Sequence, residues 1–165
     1  MGAHYDIMGN VGRPEELLRK HPLFARMRPQ QIDLFASIGE LERYREEEQI
    51  VVAGTLGDAM YLLLDGAVEV RKGERTLATL RAGDFFGEMS LVEPCARSAT
   101  VVAIEPSELF RLPHFGVQEL HDRDPVAFNH LLIPIVRVLS DRLRRANELV
   151  GDVGNLADWI AGSMV

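Results

Sequence analysis

Residues 83–101 read Gly-Asp-Phe-Phe-Gly-Glu-Met-Ser-Leu-Val-Glu-Pro-Cys-Ala-Arg-Ser-Ala-Thr-Val, and Glu88 and Arg97 within them are the pair whose types and spacing could do chemistry. They lie nine positions apart, on either side of a loop broken by Pro94, so a chain reversal there can aim both side chains into one pocket. A carboxylate accepts hydrogen bonds from sugar hydroxyls, and a planar guanidinium matches a pair of phosphate oxygens. Gly83 and Gly87 free the backbone for a tight turn. The apolar run after Glu88 can close one short helical turn whose unpaired N–H groups would face an anion. The chemistry expected is that of a phosphate site with a sugar contact beside it.

Such a pair needs a frame. Across residues 40–112, short alternating or wholly apolar runs are separated by Gly and Asp turn signals, which predicts an antiparallel barrel or sandwich. The expected strands are 41–44, 49–53, 59–64, 67–71, 76–80, 99–103 and 108–112, with hairpin turns at Asp65-Gly66 and Lys72-Gly73. Helical texture flanks this region. A short helix over 14–20 opens on Pro14, carries acids in its first turn and stops at Pro22. Pro29 opens a second helix with Ile32, Phe35 and Ile38 on one face, and Gly39 ends it. After Leu112 a short helix over 113–122 is expected, and then Asp124 caps a long helix that starts at Pro125. Pro134 predicts a kink or break near Leu131. The organisation read from this pattern is an arm over 1–13, a strand-rich domain with its helices over 14–124, and a capping or dimerisation helix over 125–165.

Leu132, Val136, Leu139, Leu143, Ala146, Val150, Val153, Ala157 and Ile160 recur at steps of four and three, the seam of a coiled coil. A homodimer through this helix is expected. The competing reading is a helix whose stripe packs on its own domain, and Ala146, Gly151 and Gly154 weaken a long zipper.

Phe86-Gly87-Glu88-Met89-Ser90-Leu91 followed by Arg97-Ser98-Ala99-Thr100 resembles the phosphate-binding cassette of cyclic-nucleotide-binding domains, as in regulatory subunits of cAMP-dependent protein kinase. Residues 53–61 and 64–70 resemble the family's glycine-rich turn and the hairpin after it, and the likeness runs over 23–147. The resemblance implies a mainly β fold, an antiparallel β jelly-roll barrel with N-terminal helices and a long C-terminal helix. It also implies Glu88 on a ribose 2′-hydroxyl and Arg97 on a cyclic phosphate. Backbone N–H groups of Met89 and Ser90 and the Ser98 hydroxyl would assist, with Gly87 and Ala99 completing the cassette and Val70 and Leu77 lining the base. Leu91 would relay occupancy to Phe115, Leu120 or Phe128. Arg144-Arg145 and residues 153–157 resemble the dimer helix and hinge of bacterial catabolite-activator-type regulators, whose helix-turn-helix module would follow where this sequence ends, and that alignment puts Leu149 and Val150 beside the base. The ligand implied is cAMP or cGMP, with cAMP preferred. The function implied is a stand-alone regulatory sensor that signals to a separate effector. The alternative is a degenerate domain that only binds protein, although such domains lose the arginine or the glutamate that this sequence keeps.

Acids outnumber bases by 25 to 18, a net charge of −7, so the chain lacks the basic footprint that neutralises many phosphates, and nucleic acid is not an expected partner. No apolar stretch reaches the length of a membrane span. A cytoplasmic location is expected. Cys95 is the single cysteine, so no internal disulfide can form. His4, His21, His114, His121 and His130 all fall outside the expected strands, which argues against a metal centre of clustered His and carboxylates. No metal and no catalytic activity are expected.

Overall fold

A computed structural model describes residues 13–162, with side chains described as far as Glu148. The chain divides into one unit ending at His130 and a second beginning at Leu131. In the first, α1 (Pro14–Leu18), a 3-10 turn (Pro22–Phe24) and α2 (Pro29–Ile38) precede ten strands. These are β1 (Glu40–Tyr44), β2 (Gln49–Val51), β3 (Leu56–Gly57), β4 (Ala59–Asp65), β5 (Ala67–Lys72), β6 (Arg75–Arg81), β7 (Phe85–Phe86), β8 (Cys95–Ala96), β9 (Thr100–Ala103) and β10 (Ser107–Pro113). A 3-10 turn over Glu88–Leu91 interrupts the series, and α3 (His114–Arg123) and the start of α4 (Pro125–Gly162) follow it.

The mainly β class with flanking helices is as the sequence implies, but the closed barrel is not what forms. The strands make two open antiparallel four-stranded sheets, ordered β1-β10-β4-β7 and β2-β9-β5-β6, and a separate ladder of β3 and β8. The turn at Asp65-Gly66 shows why. It is no hairpin, because β4 pairs with β10 and β7 while β5 pairs with β6 and β9, so this turn hands the chain from one sheet to the other. Gly66 adopts φ +87°, and Ser107 lies against it while its hydroxyl donates to the Ala67 carbonyl. Lys72-Gly73 does close a hairpin, between β5 and β6.

Alternation divides β4 between two cores. Ala59, Tyr61 and Leu63 face Val51, Val68, Phe86, Val101 and Leu109 in one buried cluster. Met60 and Leu62 point to the other face and are equally buried, as are Phe110 and Leu112 beside them on β10. A strand buried on both sides reads as one apolar run rather than an alternation, as 59–63 does. Helix α2 belongs to the second face. Ile32, Phe35 and Ile38 of α2 are buried as their spacing predicts, and Phe35 meets Phe24 edge to face at 5.0 Å. Gly39 ends α2 in extended backbone, where a Cβ would strike the Phe110 ring and the Arg111 carbonyl.

Asp124 caps α4 as expected, accepting from the Ala127 N–H at 2.9 Å and from Gln31 Nε2 at 3.2 Å. Of the kink or break expected near Leu131, the break does not occur, since α4 continues through Pro134. Proline removes a single backbone bond, and a long run on either side propagates the helix past that loss. In the second unit Leu132, Val136, Leu139 and Leu143 are exposed along α4. The rest of the heptad stripe beyond Ala146, and Leu149 with Val150, lie outside the described side chains, as do residues 1–12 of the expected arm. Among the described residues no helix is long and apolar enough to cross a membrane.

Candidate functional site

The site is built around Arg97. The ladder of β3 and β8 pairs Gly57 with Cys95 and Leu56 with Ala96, and it delivers the chain to Arg97. Two further bonds pin that residue's backbone: its N–H donates to the Thr55 carbonyl and its carbonyl accepts from the Gly54 N–H, each at 2.8 Å. Its side chain then crosses Gly57, where a Cβ would collide with the guanidinium. Gly87 closes the other side: a Cβ there would stand 2.6 Å from Arg97 Nη1 and 3.0 Å from the Ala59 carbonyl oxygen. Gly87 also takes φ +76°, so both its conformation and the space in front of it require glycine.

Both ends of the fork are held. Arg97 Nη2 donates to the Ala59 carbonyl at 2.8 Å, and Nη1 donates to the Ser90 hydroxyl at 3.3 Å. Beneath them the guanidinium carbon sits 5.7 Å from the centre of the Tyr61 ring, and Tyr61 stacks on Phe86 at 5.1 Å. A cation over an aromatic face gains about 0.5 to 2 kcal/mol, more as water is excluded. Burial pushes the Tyr61 hydroxyl above its ordinary range, and the nearby Glu42 charge adds to this, so the ring stays a neutral phenol.

Gly87 leads directly into the turn of Glu88, Met89, Ser90 and Leu91, in which Glu88 is half-buried. Ser90 is 1% exposed, and its N–H closes the turn onto the Gly87 carbonyl at 3.1 Å. In this structure that N–H is therefore committed to the turn, and what Ser90 offers Arg97 is its hydroxyl. Met89 and Ser98 are exposed and Ala99 is buried. The residues implied for the base diverge: Val70 packs on the core cluster, whereas Leu77 is 50% exposed on β6.

Leu91 borders a cavity of about 400 Å³ together with Val92, His114, Val117, His121 and Phe128. Of its three expected relay partners, Phe128 shares this cavity, Leu120 is fully buried and Phe115 is 66% exposed. The sequence reading missed Tyr61, the Ala59 carbonyl and His114 as parts of this region. Only Tyr61 carried a signal, as the one aromatic of β4, four positions after Gly57. Among the described residues no cluster of three His, Cys, Asp or Glu forms a metal site.

Residues 41–124 match the family model for the cyclic nucleotide-binding domain, and the chain belongs to that family. It is 36% identical over 135 residues to the cyclic AMP receptor protein of Thermus thermophilus, covering 79% of this chain and 61% of that protein. It is 32% identical to a cAMP-dependent protein kinase regulatory subunit of Mycosarcoma maydis, covering 84% of this chain and 25% of that one. The solved catabolite activator protein of Thermus thermophilus superposes with a TM-score of 0.68 at 34% identity, covering 81% of this chain and 63% of the other. This chain thus spans about three fifths of the first relative and a quarter of the second.

Proposed function

We propose that this chain is a cytoplasmic, non-catalytic sensor that binds a cyclic nucleotide, cAMP ahead of cGMP, and passes occupancy through α4 to a separate effector. One observation carries the reading: the Arg97 guanidinium is fixed between Gly57 and Gly87, beside the turn that begins at Glu88. A guanidinium has five N–H donors. One goes to Ala59 and one to Ser90, and the rest of the fork is the group that would take two oxygens of a cyclic phosphate. Glu88 would accept from the ribose 2′-hydroxyl, with Met89 N–H and the Ser98 hydroxyl completing the anion shell. Val70 and Leu77 would touch the base. The likeness to two proteins whose names carry cyclic AMP supports the preference for cAMP. The two sheets would then be the halves of a jelly roll that wraps the ligand.

Titration of the purified chain with cAMP, cGMP and 5′-AMP by calorimetry tests this. Saturable binding of the cyclic compounds with cAMP tighter is expected, and a hundredfold excess over the dissociation constant should raise stability by about 2.7 kcal/mol. No heat and no thermal shift with either cyclic nucleotide would leave only a protein-binding role.

Dimerisation belongs to the same proposal. Leu132, Val136, Leu139 and Leu143 present an exposed apolar stripe at heptad spacing, and a second copy would cover it. Sedimentation should give a dimer, and Leu139→Glu with Leu143→Glu should give a monomer. A wild-type monomer at high concentration would remove this part.

A further inference from the structure

His114 lies outside the residues that face the proposed ligand, yet it touches both segments that hold Arg97. It is the first residue of α3, directly after the last residue of β10. Its backbone N–H donates to the Asp58 carbonyl at 2.7 Å, and Asp58 lies between Gly57, which the guanidinium crosses, and Ala59, whose carbonyl receives Nη2. Its ring reaches the other way. Nδ1 lies 3.1 Å from the Ser90 carbonyl and 3.1 Å from the Leu91 carbonyl, at the end of the turn whose Ser90 hydroxyl receives Nη1. Carbonyl oxygens only accept, so Nδ1 carries the proton and shares it between the two. Nε2 is then free to accept from the Gln118 amide at 3.0 Å, one turn along α3.

Resting on the cyclic-nucleotide reading, we propose that His114 is a positioning residue for phosphate binding. It staples the Gly57–Ala59 segment to the cassette turn and so fixes the geometry in which Arg97 meets the phosphate, and it anchors that assembly to α3. The physical reason is the nature of the joint. Arg97 spans two pieces of chain, which the β4–β7 pairing also joins, through one carbonyl and one hydroxyl. The staple from His114 adds a second tie between them, because one residue bonds to both through backbone and ring. The carbonyl of Leu91 is one of its acceptors, so any movement of the relay residue's peptide on occupancy is transmitted to the first turn of α3 through a hydrogen bond as well as through side-chain packing.

The test uses three variants of the full chain. Asn places an amide N–H close to the position of Nδ1, whereas Gln carries its amide further out and Ala carries none. His114→Ala and His114→Gln should each weaken cAMP binding about tenfold, the equivalent of losing one well-placed hydrogen bond and its alignment, while His114→Asn should stay within about threefold of wild type. In nucleotide-free protein, the Arg97 Nε–H resonance should be a single protected line in wild type and His114→Asn, and should broaden or exchange rapidly in the other two. If His114→Ala does not fold, the contrast between Asn and Gln decides. Wild-type binding together with equal affinities across all three variants overturns the staple and leaves the sensor reading intact. If wild type binds no cyclic nucleotide, the sensor reading falls, and an unchanged Arg97 line in His114→Ala and His114→Gln overturns the staple separately.

Discussion

The two ends of the proposed pocket are built to different standards. At the phosphate end, Arg97 is pinned through its backbone by Thr55 and Gly54, through its fork by Ala59 and Ser90, and through its face by Tyr61. At the base end, Leu77 stands half-exposed on β6, a strand with no buried residue, and Val70 belongs as much to the core as to any ligand. A pocket with a rigid anion clamp and a loose apolar wall should recognise the phosphate and sugar first and the base second. The cost of ordering is met at the clamp before ligand arrives, which is what preorganisation means for affinity.

The comparison can be broken most forcefully at the clamp. Arg97→Ala should cost about 2 to 5 kcal/mol of cAMP binding, because a desolvated phosphate would lose its charged partner. Calorimetry showing unchanged affinity would dissolve the distinction between the two ends. Next in size is the sugar: 2′-deoxy-cAMP should bind more weakly by about 1.5 to 3 kcal/mol if Glu88 takes the hydroxyl, and equal binding would return Glu88 to a purely local role in the turn.

Gly87→Ala comes third. A side chain in left-handed backbone costs about 1 to 2 kcal/mol, and here it would also press on Arg97 and the Ala59 carbonyl. Both thermal stability and affinity should fall together; a loss of stability alone would separate the turn from the clamp.

The fourth prediction concerns the scaffold common to both ends. Burial lowers the pKa of His21, partly offset by its contact with the Asp84 carbonyl and by the Asp84 charge. Between that lowered value and the ordinary 6.5, the unfolded chain binds the proton and the folded chain does not. Stability should therefore be complete above 6.5 and decline as the pH falls through this window, and His21→Gln should flatten that part of the profile. Urea unfolding at a series of pH values reads it, and an identical profile in the variant would assign the decline to other groups. Smallest of all, Leu77→Ala should change stability by no more than about 0.5 kcal/mol, as expected for an exposed side chain. Its effect on cAMP affinity should fall well below that of Arg97→Ala, and a loss of equal size would show the base end to be as firmly built as the clamp.

Most elements were legible because each is local. Ile32, Phe35 and Ile38 declared the buried face of α2, Asp124 declared the cap of α4, and the seven longer strands declared themselves by apolar runs between turns. Strands β3, β7 and β8 did not, since two residues are too few to display a period. Asp65-Gly66 misled because the same dipeptide serves a hairpin and a crossing between sheets, and the partners that decide between them, β10 and β9, lie tens of residues away. Pro134 did not break α4, because a local cost of one hydrogen bond does not outweigh the rest of a 38-residue helix.

The sequence by itself determined the chemical inventory: one acid, one base, the glycines around them and a spacing that permits convergence, all consequences of covalent order and local conformational preference. The tertiary structure alone decided which groups meet Arg97. The Ala59 carbonyl, the Ser90 hydroxyl, the Tyr61 face and the two-way reach of His114 arise where distant segments pack, and a guanidinium's partners are set by what folding brings within 3 Å or so of its donors.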